Sequence, residues 1–352
     1  MKRPINALFF SRGRGHGHAI PDMAIASIVR ELRPEINIQF ASYATGAETF
    51  KRANIPVIDL NLPEVNPFLR TLQLAQGLIQ QQALDVVIAH EEFAALPAAR
   101  MRGLPSIFVS AWLPKAGTIA ADALTYADSI IVIERAGLLP IPEGVTTKPR
   151  FTGPILREMQ CGLTDRSKIR ARLGLEQEAT VLLVVSGGWA NEARAPIAEL
   201  ILPAFLELPR PKKNLIWLAG KDSAQLQQRL QAFNSIRVLN YHDPVEEMIV
   251  ASNIVVTKGT RGITTDAATI GVPSLSISHG LNPVDDFLIP RIRSNIAVEA
   301  KAIDCAGLTK YIEQILAQPP ATWGTPMLAP DHGGRAAAAA LCEEIDRLCK
   351  QP

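Results

Sequence analysis

Between Ser11 and Ala19 the chain sets His16 and His18 beside Arg12 and Arg14, with Gly13, Gly15 and Gly17 interleaved. A neutral imidazole at His18, next to the start of a helical pattern, can take a proton from a hydroxyl. The same position also suits a histidine that only caps or hydrogen-bonds the helix. Glycines at 13, 15 and 17 permit close backbone approach and positive φ. The spacing GxGxG is neither the dinucleotide fingerprint GxGxxG nor a phosphate loop ending in GK[ST]. His16 and His18 together offer a metal two ligands, but the sequence supplies no third, so no metal is expected. An RGRG run can bind RNA when disordered; here it is clamped between a strand and a helix.

Three loops in the second half carry a different chemistry. Ser186, Gly187 and Gly188 follow an apolar run and let phosphate oxygens reach backbone N–H groups. Tyr241, His242 and Asp243 follow another, where a ring can lie along a nucleobase or Asp243 can cap the next helix. The third, TKGTRGITTDAATIGVP, runs Thr257–Pro273. Its Gly259, Thr260, Arg261 and Gly262 stand at a helix start, where N–H groups and the helix dipole favour a diphosphate. Arg261 adds a charge-assisted contact. Asp266, one turn on, can accept from ribose hydroxyls or simply face water.

The elements that must position these residues alternate strand and helix throughout. Strands are predicted at Ala7–Phe10, Ile36–Ala41, Val57–Leu60, Val86–Ala89, Ser106–Val109 and Ile130–Ile133. A second series follows at Val181–Val185, Leu215–Ala219, Arg237–Leu239, Ile254–Thr257 and Ser274–Ile277. Helices are predicted at Pro21–Leu32, Ala195–Leu208, Ala224–Phe233, Val245–Ala251, Ile263–Ile270 and Arg335–Lys350. This is the pattern of two α/β domains with parallel sheets covered on both faces. Ligands of such sheets bind beyond the carboxyl ends of the strands, which makes an interdomain cleft the expected site. Pro149, Gly153 and Pro154 mark the seam, which divides the chain into 1–155 and 156–332, with a final helical segment 333–352.

A chain of 352 residues exceeds one ordinary core. A net charge of +2 gives no field to gather nucleic acid, so none is expected as a partner. No apolar stretch is long enough for a membrane span, and the residues after Lys2 do not form a secretory signal. Cys161, Cys305, Cys342 and Cys349 form no CxxC pair and read as reduced thiols of a cytoplasmic protein. Phe68, Leu69, Leu72, Leu74 and Leu78 form a stripe that is either core or, if exposed, a surface for peripheral membrane contact.

At these motifs the chain resembles the GT-B glycosyltransferases. The branch it looks most like holds the N-acetylglucosaminyl transferase that forms lipid II (glycosyltransferase family 28) and the UDP-glycosyltransferases. Gly13, Gly17, His18 and Pro21 match the family's first loop. Tyr241, Thr257, Gly259, Ala267, Gly271 and Pro273 match its second segment. The chain departs at Thr260, where a glycine is usual, and at Asp266, where the family has glutamate. It departs again at Asp285 and Asp286, where an Asp-Gln or Gln-Gln pair holds the donor sugar. DVVIAHEEFAALPAARMRGLPSIFV, Asp85–Val109, is similar to a family segment whose last acid sits near the loop histidine.

The resemblance implies a GT-B fold, with two facing Rossmann-like doubly wound domains and a deep interdomain cleft. The first domain would bind an unidentified acceptor and the second a nucleotide sugar. The final helix would pack back on the first domain. The implied reaction is an inverting, metal-independent transfer of a hexose or N-acetylhexosamine from a UDP-sugar to an acceptor hydroxyl, with no cofactor beyond the donor. His18 is the implied base, and Glu92, or its neighbour Glu91, the carboxylate that orients it; both glutamates also suit caps of the next helix. Two alternatives stay open on the same fold: a nucleotide-sugar hydrolase or epimerase, and a non-catalytic nucleotide-sugar-binding protein.

Overall fold

A computed structural model describes residues 3–65, 68–137, 139, 141–155, 165–186, 197–220, 223–242, 244–258, 261–278, 295–299, 303–318 and 333–349. The chain divides into two compact units, Met1–Glu158 with Ala329–Pro352, and Met159–Leu328.

The first unit is built on strands β1 (Ile5–Ser11), β2 (Ile36–Ser42), β3 (Val57–Asp59), β4 (Val86–His90), β5 (Ser106–Ser110), β6 (Ser129–Val132) and β7 (Arg150–Phe151). All pair in parallel in the order β3-β2-β1-β4-β5-β6-β7. The order reverses between β1 and β4, and their register sets Ser11 beside His90. Such a reversal opens a crevice at the carboxyl ends of the two strands. The loop of interest therefore leaves β1 directly into that position and ends at the helix Ala19–Leu32.

The strands are apolar almost throughout because helices cover both faces of the sheet. Phe9, Phe40 and Phe50 stack in the core, with ring centroids 5.4 and 4.5 Å apart. The final helix, Gly333–Cys349, buries Ala337, Ala338, Leu341 and Ile345 in the same core as Ile25, Ala26 and Val29 of the first helix. Arg33 pairs with Asp346 and Arg150 with Glu343, tying the final helix at its rim.

The second unit repeats the scheme with β8 (Thr180–Val185), β9 (Lys213–Leu218), β10 (Ile236–Leu239), β11 (Ile254–Thr257), β12 (Ser274–Ser278) and β13 (Asn295–Glu299). Their order is β10-β9-β8-β11-β12-β13, again all parallel, with the reversal between β8 and β11. Alternation along β8 is read directly in its two cores: Val181, Leu183 and Val185 enter one, Leu182 and Val184 the other. Buried Arg170 ties the helix Arg166–Arg172 to this sheet. Its guanidinium donates to the carbonyls of Ala251 at 2.9 Å and Ala179 at 3.0 Å, and to Asn253 Oδ1 at 2.8 Å. Burial, with Arg166 adding to it, lowers the Arg170 pKa to about 10.

Among the described residues no helix is long and apolar enough to cross a membrane. In the helix Phe68–Gln80 the buried seam is Thr71, Ala75 and Ile79, while Leu69 and Leu74 are exposed. The predicted stripe is therefore not the packing face. Cys305, Cys342 and Cys349 are free thiols; Cys161 lies outside the described residues.

Candidate active site

His18 occupies the cap position of the helix Ala19–Leu32, yet its side chain makes no cap hydrogen bond. Its ring turns across the crevice. Nε2–H donates to Glu91 Oε2 at 2.8 Å, and Nδ1 lies 3.2 Å from the Arg14 carbonyl. Both ring nitrogens thus face acceptors, and the shorter bond is the charge-assisted one.

Glu91 is the first residue beyond β4 and sits at φ +52°, in the left-handed region. That backbone turn aims its carboxylate back at the β1 loop. Oε1 accepts from Ser110 Oγ at 3.0 Å and from the Ala111 amide at 3.3 Å, and the Arg12 guanidinium stands 3.8 Å from Oε2. Burial pushes the carboxyl upward, but His18, His90 and Arg12 outweigh it and hold the group well below the ordinary glutamate range. It is an ionised carboxylate fixed on an imidazole.

Of the two glutamates expected beside His18, it is Glu91 whose carboxylate meets the imidazole. Glu92 points elsewhere and accepts from Tyr43 Oη at 2.9 Å. Burial raises its pKa, against the opposing pull of Arg12 and the Tyr43 hydrogen bond. Its carbonyl accepts from the Ala95 amide at 3.0 Å, so it also serves the start of the next helix.

Two further residues join the site, and of these only Asp22 is unmarked by its place in the sequence motifs. His90, the last residue of β4, donates from Nδ1 to Asp22 Oδ1 at 2.6 Å, and both side chains are buried. Its ring meets the His18 ring edge-on, with centroids 5.0 Å apart. Asp22 reads in the sequence as an ordinary first-turn helix acid; only the fold brings it beneath His90.

The three loop glycines divide by role. A Cβ on Gly13 would lie 2.2 Å from the Tyr43 carbonyl oxygen and 2.3 Å from its ring, so Gly13 is there for Tyr43. Gly15 has φ +62° and makes the turn. A Cβ on Gly17 would meet nothing within 4 Å, so no steric demand fixes that glycine. His16 leaves the constellation: its Nδ1 donates at 2.7 Å to Thr49 Oγ1, whose own proton goes to the Thr45 carbonyl.

In the second unit, Ser186 stands at the end of β8, in the crevice position beside β11. Its hydroxyl donates to the Leu218 carbonyl at 3.2 Å. The helix Arg261–Ile270 starts just after β11, which places its amino end, with Gly262, at the reversal. A buried hydroxyl cluster of Thr257, Thr264 and Ser276, with contacts of 3.2–3.4 Å, locks that helix to the sheet. Asp266 is half-buried on it. Tyr241 and His242 follow β10, at the edge of the sheet, and His242 Nε2 lies 3.4 Å from Glu247 Oε2. Gly187, Gly188, Asp243, Gly259, Thr260, Asp285 and Asp286 lie outside the described residues, as does the side chain of Arg261.

No family model matches the chain. A Methanopyrus kandleri protein named as an uncharacterized glycosyltransferase is 24% identical over 285 residues, covering 78% of this chain and 79% of that protein. The UDP-N-acetylglucosamine–N-acetylmuramyl-(pentapeptide) pyrophosphoryl-undecaprenol N-acetylglucosamine transferase of Salinibacter ruber is 24% identical over 338 residues, covering 89% and 88%. Among solved structures, MurG of Acinetobacter baumannii superposes with a TM-score of 0.66 at 16% identity over 98% of this chain and 100% of that one. The UDP-GlcNAc 2-epimerase of Neisseria meningitidis does so with 0.64 at 13% identity over 97% and 99%. At such identities the structural likeness speaks to fold, while the sequence relatives speak to class. The chain thus has the GT-B fold, and the relatives it resembles in sequence are named as glycosyltransferases.

Proposed function

We propose that the chain transfers a hexose or N-acetylhexosamine from a UDP-sugar to an acceptor hydroxyl, with inversion and without a metal on the diphosphate. The observation that carries this reading is the His18–Glu91 pair at the sheet reversal of the first unit. With Nε2–H held by an ionised carboxylate, Nδ1 is the nitrogen that receives a proton. An acceptor hydroxyl would displace the weaker contact to the Arg14 carbonyl. As its oxygen bonds to the anomeric carbon, its proton passes to Nδ1 and the bond to the diphosphate breaks.

The departing charge needs stabilisation. The amino end of Arg261–Ile270, at the second reversal, offers N–H groups and the positive end of the helix dipole. Gly259, Thr260, Arg261, Gly262 and the Ser186–Gly188 turn would hold the diphosphate. Tyr241 and His242 would take the base, Asp266 the ribose, and Asp285 with Asp286 the sugar. The absence of any DxD sequence supports a donor held without metal. Named relatives use UDP-N-acetylglucosamine, which makes UDP the first carrier to test.

Exposed Val65, Leu69 and Leu74 support peripheral contact with a membrane that carries a lipid-linked acceptor, at its cytoplasmic face. The reading is tested by a thermal-shift panel of nucleotide sugars followed by product analysis. A ligand at 100 times its Kd stabilises by about 2.7 kcal/mol. Failure of every UDP-sugar to shift the melt removes the donor assignment, and a product of retained anomeric configuration removes inversion. The shared fold with a 2-epimerase keeps one competitor in view: catalytic release of UDP, or a changed sugar, with no acceptor present would favour it.

A further inference from the structure

The candidate base belongs to a second constellation that transfer does not require. His18, His90 and Glu91 each bring one ligating atom to a common point, all within 4.8 Å of one another. The two imidazoles are held alike. His18 Nδ1 faces the Arg14 carbonyl at 3.2 Å, and His90 Nδ1 donates to Asp22 Oδ1 at 2.6 Å. Each Nε2 is thereby turned toward the Glu91 carboxylate, at 2.8 Å for His18 and 4.0 Å for His90.

This is the arrangement by which proteins prepare histidines for a metal. An oxygen on the outer nitrogen fixes tautomer and ring orientation and makes the inner nitrogen a better donor. From it we infer that His18 Nε2, His90 Nε2 and Glu91 form a binding site for a borderline divalent transition ion, Zn²⁺ by class.

The donor set supports that choice. Two imidazole nitrogens and one carboxylate suit Zn²⁺ or Co²⁺, whereas Mg²⁺ and Ca²⁺ want oxygens. Ligands about 2.0–2.2 Å from a tetrahedral ion stand roughly 3.3 Å apart, so small rotations of the rings complete the geometry. The charges balance as well: Glu91 and buried Asp22 set two negative charges against the ion. Asp22 Oδ2 is itself buried without a hydrogen-bond partner. Arg12, 3.8 Å from Glu91 Oε2, is the competing cation that the ion must displace. The His18 side chain is 16% exposed, so solvent reaches the fourth position.

Binding there stands or falls apart from sugar transfer. If the chain does transfer, the ion and the acceptor compete for one imidazole. With Nε2 on the metal the ring proton moves to Nδ1, where the Arg14 carbonyl accepts it, so His18 is no base and Zn²⁺ becomes an inhibitor.

The test uses the untagged full chain, freed of metal by chelation and titrated with Co²⁺. The expected result is the visible absorption of cobalt in a low-coordinate nitrogen–oxygen site, saturating at one ion per chain and erased by Zn²⁺. His90→Gln should abolish it. Asp22→Asn should weaken binding by about 10–100-fold. His16→Gln, outside the cluster, should leave it intact. Circular dichroism of each variant separates loss of ligand from loss of fold. The melting temperature of the wild type should rise with Zn²⁺ and not with Mg²⁺. The assignment is overturned if the wild type gives no cobalt band, if the band survives in folded His90→Gln, or if it vanishes in His16→Gln. Should His90→Gln not fold, an unmoved wild-type melting temperature with Zn²⁺ overturns it equally. Unchanged turnover with bound metal would remove only the inhibition.

Discussion

The carboxylate of Glu91 accepts from the His18 imidazole at 2.8 Å while its own backbone stands at φ +52°. A side chain with a Cβ in that region costs of order 1–3 kcal/mol and persists only when its surroundings over-determine it. Here Ser110, the Ala111 amide and Arg12 do so. Strain of this kind, coupled to an ionised group on a histidine, is concentrated where the chemistry is proposed.

If that pair performs base catalysis, His18→Ala should lower turnover by about 10²–10⁴-fold. UDP affinity, measured by calorimetry, should stay nearly unchanged, because the donor is assigned to the other unit. Intact turnover would make the histidine structural.

Glu91→Gln keeps the shape and removes the charge that stabilises the imidazolium. Turnover should fall by roughly tenfold or more, with a smaller effect than His18→Ala. Glu92→Gln should change turnover far less, since its carboxylate faces Tyr43. Steady-state kinetics on the three variants rank them; a Glu92 effect larger than the Glu91 effect would reverse the assignment.

Gly13→Ala should destabilise the first unit. The new methyl would meet a carbonyl as well as a ring of Tyr43, so the backbone itself must yield. Overpacking of this sort typically costs about 1–3 kcal/mol. Urea unfolding gives the number, and removing the ring with Tyr43→Ala should not restore it.

Arg170→Met exchanges a buried guanidinium for a thioether. The carbonyls of Ala251 and Ala179 and the amide oxygen of Asn253 lose their donor. A buried acceptor left unpaired costs about 1–3 kcal/mol, so the second unit should lose at least that much. A stability equal to wild type would mean the acceptors find water.

Asp165 caps the helix Arg166–Arg172, accepting from Ser167 Oγ at 2.7 Å and the Lys168 amide at 3.1 Å. Those bonds, with the Lys168 side chain, lower its pKa to about 2. A carboxyl depressed by folding stabilises above its unfolded value, near 3.9, and loses that contribution as pH falls toward 2. The melting-temperature difference between wild type and Asp165→Asn should therefore be constant above about pH 5 and shrink below pH 4. A difference that is flat down to pH 2 would contradict it.

Parallel strands buried on both faces spell themselves out as runs of Val, Ile and Leu, which is why β1, β4, β8 and β11 are legible in the sequence within a residue or two. Arg150–Phe151 and Asn295–Glu299 are not, being short or polar strands at sheet edges that only pairing reveals. The loop chemistry around His18 is legible for the same reason as β1: it follows the strand directly. The choice between Glu91 and Glu92 is not, because it depends on a left-handed backbone at a residue other than glycine. Asp22 under His90 is a contact 68 residues apart in the chain, and no local pattern encodes it.

The final helix supplies Ala337, Leu341 and Ile345 to a core whose other walls are made from the first residues of the chain. On a ribosome the second unit, contiguous from Met159 to Leu328, emerges whole before that helix exists. At roughly 5–20 residues per second the earlier-made half waits for about ten seconds or more with that wall uncovered. The half made first is the half completed last.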